Sequence, residues 1–413
     1  MLKMHMADYS EVQVLCPRGA SMLGLSQLGA SLPFCSSAKE MIGVFSRLLT
    51  QDPRARKFPE LIALAHWLRS REIKGLQAQF EVGLPKGVIA LGRGVTLHFA
   101  PGNVDTIFLY SSLLSVLAGN VTIVRISSRS SPQMILLLDI LNVVLAIPEF
   151  IDISARIRII RYERDSTITG ALSIACDLRV IWGGDESVQN IRSLPLNPRA
   201  RDITFPDRWS LTVLDASAFL NARDDLVSIT KNFANDAFWF GQMGCSSPRL
   251  VIWRGSPQEV EKAGDLFWPA LKAQSEKFIK TTNPVQFVDK FFAQCSAAID
   301  GSIQSSRNTG TNMVSVSRLT SHELPSKKLM HIGGGLFWEM LIQELNELAP
   351  ILDRRSQTIG SFGITSDEWK QWTLNSVASI DRIVPLGQAL QFDSIWDGMD
   401  LLREFTRLVS IRC

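Results

Sequence analysis

The sequence predicts an α/β protein with a largely parallel sheet. Short runs apolar on both faces, apolar segments of helix length between them, and turn residues at the junctions point to it. The strand-like runs are 95–99, 121–126, 156–162, 178–182 and 210–214. Segments 106–117, 133–145, 168–175 and 187–194 lie between or after them as helices. A second α/β portion follows, with a helix over 224–237, a strand over 249–253 and a helix over 257–274. The Ser/Thr/Asn/Gly-rich stretch 302–312 reads as a loop, and Gly333-Gly334-Gly335 as a turn. The last portion returns to apolar text from Thr358 and ends in a helix-like run, 396–408.

The 413 residues are 46% hydrophobic, enough for a large buried core, and the length suggests two domains or one with appendages. A formal net charge of +3 with no long basic run argues against a nucleic-acid partner. The first fourteen residues carry acidic side chains and no apolar core of signal-peptide type. Segment 107–124 is free of charge, but Gly119-Asn120 splits it into a helix and a β-branched strand. It therefore reads as a buried pair, with no transmembrane segment expected. The six cysteines (Cys16, Cys35, Cys176, Cys245, Cys295, Cys413) are widely spaced and form no Cys-x-x-Cys. Reduced thiols in a cytoplasmic protein are expected, with no metal site.

Cys245 stands out by context, in Gly244-Cys245-Ser246-Ser247-Pro248 just before a strand. Small neighbours let other groups approach the sulfur, and a thiolate there would be a nucleophile. The plain alternative is a small core cysteine. Asn103 ends Ala100-Pro101-Gly102-Asn103 after a strand, where open α/β sheets place ligands. Its amide suits an oxyanion, or a simple helix cap. Arg125, Ser127, Ser128 and Arg129 follow another strand and suit a phosphate, or form a solvated loop. Gly183, Gly184 and Asp185 open a helix whose first amides could meet a pyrophosphate, or make an ordinary turn. His98 lies in a strand near Asn103 and reads first as a packed, hydrogen-bonded histidine.

Taken together, these segments resemble the long-chain acyl-CoA reductase (LuxC-like) family. The resemblance is carried by 94–103 ending in APGN, Leu117-Ala118-Gly119-Asn120 with VTIVRISSR, and LRVIWGGD over 178–185. Pro198-Arg199-Ala200-Arg201, residues 240–249, Asp381-Arg382-Ile383-Val384-Pro385, QTIGSFG from Gln357, and Trp396-Asp397-Gly398 extend it. That family is similar to a divergent branch of the aldehyde dehydrogenases. The resemblance implies a Rossmann-type cofactor-binding domain plus an α/β catalytic domain. Residues 1–215 would mainly bind NADP, 216–357 would carry the cysteine, and 358–413 would complete the fold. It further implies Cys245 as nucleophile, Asn103 as oxyanion donor, and NADPH held by Arg125, Ser127, Ser128, Arg129, Gly183, Gly184 and Asp185.

Two departures from ordinary aldehyde dehydrogenases are informative. No glutamate occurs between Glu186 and Glu259, so the base that drives acyl-enzyme hydrolysis is missing. Ser128 stands where an NAD-selecting carboxylate is usual, with Arg129 beside it, which favours the 2′-phosphate of NADPH. The expected activity is reduction of a fatty acyl-CoA or acyl thioester to the aldehyde, of the kind that serves luminescence among other uses. Expected partners are acyl-CoA or an acyl-loaded protein such as an acyl-protein synthetase, and a homo-oligomeric state. The rival readings are a cysteine acyltransferase or thioesterase without nicotinamide, and a non-catalytic subunit of an acid-reductase complex.

Overall fold

The computed structural model describes residues 9–102, 104–278, 284–307, 309, 312–320, 332–376 and 379–412. The chain divides into two compact units, one running to Asp207 and resuming at Phe392, the other spanning Arg208–Gln391. The division thus falls ahead of residue 215, which ends a strand of the second unit.

The first unit holds β1 (Gln13–Cys16), β2 (Val88–Gly92), β3 (Val95–Phe99), β4 (Val121–Arg125), β5 (Ile157–Arg161), β6 (Leu178–Trp182) and β7 (Arg201–Phe205). Its main sheet runs β1-β5-β4-β3-β6-β7. All neighbours are parallel except β1, which lies antiparallel on β5. From β3 the chain winds outward through β4 and β5, then returns to the other side as β6. This reversal makes a switch point beside the carboxyl end of β3, where such sheets open a crevice.

The uncharged run 107–124 is accounted for here. Helix Thr106–Leu117 is buried on every side, and β4 follows it into the sheet. Ser131 caps helix Pro132–Leu145 by accepting from the Met134 amide at 3.0 Å, and Pro132 sits at its first turn. Among the described residues no single helix is long and apolar enough to cross a membrane.

The end of the chain departs from the expected helix over 396–408. A hairpin of Ile395–Trp396 and Met399–Asp400 comes first, then helix Leu401–Glu404, then strand Thr406–Ser410 on β2. Asp397 and Gly398 at the hairpin tip have φ of 48° and 72°. Asp-Gly is the dipeptide that takes such positive φ pairs, and here it overrides the helical periodicity.

The second unit holds β8 (Trp209–Asp215), β9 (Pro248–Arg254), β10 (Ile303–Arg307), β11 (Ser315–Leu319), β12 (Leu336–Ile342), β13 (Ser356–Phe362) and β14 (Arg382–Pro385). Their order is β10-β11-β12-β9-β8-β13-β14, parallel except for β10 against β11. Both faces are covered, because alternate residues of each strand enter different cores. Val251, Trp253 and Phe337 join Phe219, Phe233, Phe267 and Trp268 on one face. Leu250, Ile252, Trp338 and Met340 join Trp209, Leu211, Ile359 and Trp369 on the other. Two-sided burial is what makes these strands read as unbroken apolar runs.

The stretch 302–312, expected as a loop, contains β10. Its serines suit an edge strand that faces β11, where Ser306 and Ser317 pair their hydroxyls at 2.9 Å. The Gly333–Gly335 turn is present, with φ of 69°, 62° and 84° at the three glycines.

Candidate active site

The residues predicted to hold a cofactor gather at the carboxyl edge of the first unit's sheet. Arg125 closes β4, and its guanidinium lies 5.4 Å over the Tyr162 ring while donating to the Tyr162 carbonyl at 3.3 Å. Burial pulls that guanidinium below its ordinary pKa, countered by Tyr162 and Glu163. Arg125 is thus anchored to the strand end. Ser127 is half-buried, and Ser128 and Arg129 are exposed just beyond it. Gly102 comes close to the same turn, since a Cβ there would meet the Ser127 hydroxyl at 3.6 Å. Arg161, which the sequence reading passed over, ends the adjacent β5. It donates to the Ser127 carbonyl at 3.2 Å and the Ser130 hydroxyl at 3.3 Å. Strand adjacency brings it there, and no local motif marks it. Exposed serines framed by two arginines fit a phosphate group.

The turn after β6 fits less completely. Gly184 caps helix Asp185–Arg192, and a Cβ there would meet open space. The Gly183 amide is already engaged by the Phe205 carbonyl at 3.2 Å. Asp185 and Glu186 place two acids in the first turn, and Asp185 accepts from the Asp207 amide at 3.1 Å. Contact with an anionic ligand therefore falls to the Gly184 end of this turn. Asn103 lies outside the described residues. His98 is buried, bonded to Ser111 at 2.8 Å and Thr96 at 3.1 Å. Burial pulls its pKa down to about 3, so it stays neutral as a core group.

Cys245 belongs to the second unit and is half-buried. It lies just ahead of β9, on the edge where the parallel strands β8, β9, β13 and β14 begin. Its carbonyl accepts from the Ser210 hydroxyl of β8 at 2.7 Å, and Ser210 in turn accepts from the Thr358 amide of β13 at 3.1 Å. Its sulfur accepts from the Gln357 side-chain amide at 3.3 Å. Two register shifts flank it, between Ser210 and Leu211 on the β8–β9 side and between Ser356 and Ile359 on the β13–β8 side. Bulges of this kind re-aim side chains beside functional groups, and the second one carries Gln357.

The loop into Cys245 is wound left-handed. Phe240, Gly241 and Gln242 have φ of 56°, 62° and 65°. For the two non-glycine residues this costs about 1–2 kcal/mol each. The buried Gln242 side chain offsets it by donating to the Pro248 and Leu336 carbonyls at 3.0 Å and accepting from the Gly335 amide at 2.7 Å. Gly244 sits in a tight place, since a Cβ would stand 3.1 Å from the Ser247 hydroxyl and 3.4 Å from Leu390, and both side chains would have to give by a few tenths of an ångström. The geometry therefore holds a small, rigid loop that presents a sulfur beside an amide donor.

Comparison with known proteins bears on both units. Residues 85–286 match the family profile described as acyl-CoA reductase (LuxC). The chain is similar to the long-chain acyl-protein thioester reductase of Aliivibrio fischeri, at 25% identity over 212 residues. That match covers 47% of this chain and 41% of the relative, so it spans well under two thirds of the relative's length. Among solved structures the chain is similar to aldehyde dehydrogenase 21 of Physcomitrella patens, with a TM-score of 0.64 at 10% identity over 91% of this chain and 86% of that one. It is likewise similar to an indole-3-acetaldehyde dehydrogenase in complex with NAD+, with a TM-score of 0.64, 13% identity, and 94% and 85% coverage. Methylmalonate-semialdehyde dehydrogenase of Oceanimonas doudoroffii gives 0.63 at 14% identity, covering 92% and 86%. The fold is α/β and aldehyde-dehydrogenase-like.

Proposed function

We propose that this chain, a relative of the acyl-CoA reductase (LuxC) family with an aldehyde-dehydrogenase-like fold, reduces an acyl thioester to an aldehyde through Cys245. The observation that carries this reading is Cys245 itself, its carbonyl fixed by Ser210 and its sulfur faced by an amide donor. The Cys245 thiolate attacks the thioester carbonyl, and a carbon–sulfur bond forms as the carbonyl π pair moves to oxygen. The Cys245 amide and the Asn103 side chain are the proposed donors to that oxyanion. Collapse expels the donor thiolate and leaves an acyl-Cys245 thioester. Reduced nicotinamide, when bound, supplies the hydride. The resulting thiohemiacetal breaks its bond to Cys245, which releases aldehyde and returns the thiolate.

No glutamate lies between Glu186 and Glu259 to activate water, and this protects the acyl-enzyme from hydrolysis. Ser127, Ser128 and Arg129, with Arg161 behind them, support NADPH over NADH, because a 2′-phosphate meets hydroxyls and guanidinium rather than a carboxylate. Arg125 and the Gly183-Gly184-Asp185 turn complete the proposed cofactor set. The acyl donor is acyl-CoA or an acyl-loaded partner protein. The compartment we propose is the cytoplasm, and no disulfide joins the described cysteines.

The test follows NADPH consumption by its absorbance with a panel of acyl-CoAs, comparing wild type with Cys245→Ala. Aldehyde formation by wild type alone is the expected result. Equal activity of the two proteins would overturn the proposal. A cysteine acyltransferase or thioesterase would share the dependence on Cys245 but not bind the cofactor. NADPH at 100 times its dissociation constant should stabilise the chain by about 2.7 kcal/mol, visible as a raised melting temperature.

A further inference from the structure

We infer that Gln357 is a catalytic residue, the donor that stabilises the Cys245 thiolate, and that Ser246 and Arg382 position and polarise it. The inference rests on Cys245 being the nucleophile proposed above.

The Gln357 side chain is buried, and both of its polar ends are committed. Its Oε1 accepts from the Ser246 hydroxyl at 2.8 Å, and its Nε2 donates to the Cys245 sulfur at 3.3 Å. Ser246 decides which end of the amide faces the sulfur. The Arg382 guanidinium approaches the Ser246 oxygen at 3.5 Å, long for a hydrogen bond and electrostatic in character. A guanidinium has only donors, so it takes an oxygen lone pair and turns the Ser246 proton toward Gln357. Oε1 then accepts, and the two Nε2 hydrogens are left on the sulfur side. Arg382 is itself held by the Ala389 and Gln391 carbonyls. The result is a directional chain from Arg382 through Ser246 and Gln357 to the sulfur.

Hydrogen bonds in such a chain polarise one another, so part of the Arg382 charge is felt at the sulfur without a cation touching it. This suits a thioester reductase. A histidine beside the cysteine would also serve as a base toward water, and an amide cannot. Gln357 has no proton to gain or lose near neutral pH, so it stabilises the thiolate without offering a route to hydrolysis. The donor thiol leaves as a thiolate, so its expulsion needs no general acid.

The experiment measures the pH dependence of iodoacetamide alkylation at Cys245 in the full chain, read on the Cys245 peptide by mass spectrometry. Peptide-level reading excludes the other cysteines. A hydrogen bond to a charged group is worth enough to move the midpoint of thiolate formation upward by about one to two pH units in Gln357→Leu. Gln357→Glu keeps the shape and the Ser246 bond but sets a carboxylate against the sulfur, and it should raise the midpoint at least as far. Ser246→Ala should raise it by less. Circular dichroism confirms that each variant is folded, and the isosteric Gln357→Glu keeps the test open should Gln357→Leu fail to fold.

An unchanged midpoint in the folded Gln357 variants overturns the inference, as does a slower alkylation with no shift of midpoint. An unshifted Ser246→Ala overturns the relay. Alkylation needs neither acyl substrate nor cofactor. A shifted midpoint without NADPH consumption would therefore leave the Gln357 assignment standing while the reductase reading falls. Cys245-dependent reduction with an unshifted midpoint would do the reverse.

Discussion

Asp236 offers the sharpest test of the energetics around the cysteine loop. Its carboxylate is buried in helix Leu226–Phe238, and accepts from the Gly387 amide at 2.7 Å and the Ala389 amide at 2.8 Å. Burial pushes its pKa from 3.8 up to about 7, against the two amides and Arg382, which favour the charge. In the folded chain the carboxyl keeps its proton to about pH 7, whereas the unfolded chain releases it near pH 4. The native state holds the extra proton at this carboxyl between those values, so the Asp236 contribution to stability falls as pH rises across that window and is flat on either side. The separation corresponds to about 4 kcal/mol. Asp236→Asn removes the ionisation, and it also turns one amide donor against a backbone N–H, at a cost of about 1–3 kcal/mol. Urea unfolding of both proteins from pH 4 to pH 8 separates the two effects. The variant should be the less stable at pH 4, with wild type losing its advantage as pH rises. Parallel profiles for the two proteins would refute the reasoning.

Other expectations follow from single contacts. Glu339 is fully buried between Arg307 at 3.2 Å and Arg318 at 2.9 Å, and accepts from the Trp253 and Trp268 indoles at 3.1 and 2.8 Å. Glu339→Leu should cost about 3 kcal/mol in urea unfolding, because two buried indole N–H groups lose their acceptor, while Arg307 and Arg318 keep Glu261 and Asp265 as counter-charges. Gln242→Ala keeps the left-handed backbone but orphans the Pro248, Leu336 and Gly335 groups, and should cost about 3 kcal/mol or more. Gly335→Ala would put a Cβ 1.9 Å from the Met313 carbonyl at φ of 84°, and little folded protein should be recovered. Ser128→Glu should lower the ratio of kcat/KM for NADPH over NADH by about tenfold or more, measured by steady-state kinetics once activity is in hand.

How legible the molecule was depends on which forces shaped each part. β3, β6 and helix Thr106–Leu117 were readable to the residue, because full burial writes continuous apolar text bounded by turns. β10 was missed because an edge strand with serines on it looks like a loop. The terminal hairpin was missed because Asp397-Gly398 was read inside a helical pattern instead of as punctuation. In the candidate site, Cys245 and the β4 turn were legible because small residues and arginines at strand ends are local signals. Arg161 and Ser210 carried none, and Gln357 and Arg382 stood in motifs of the family resemblance with nothing local to give them a role, since each reaches its partner from another strand.

The sequence by itself determined the alternation of strands and helices, the uncharged core run and the presence of a thiol among small residues. These follow from local composition, which sets burial and backbone freedom. Only the tertiary structure decided what faces that thiol. Gln357 is 112 positions from Cys245 along the chain. The order β9-β8-β13-β14 and the register shift between Ser356 and Ile359 bring its amide to the sulfur. Strand order and register arise from the packing of both sheet faces at once, and that is a property of the whole unit.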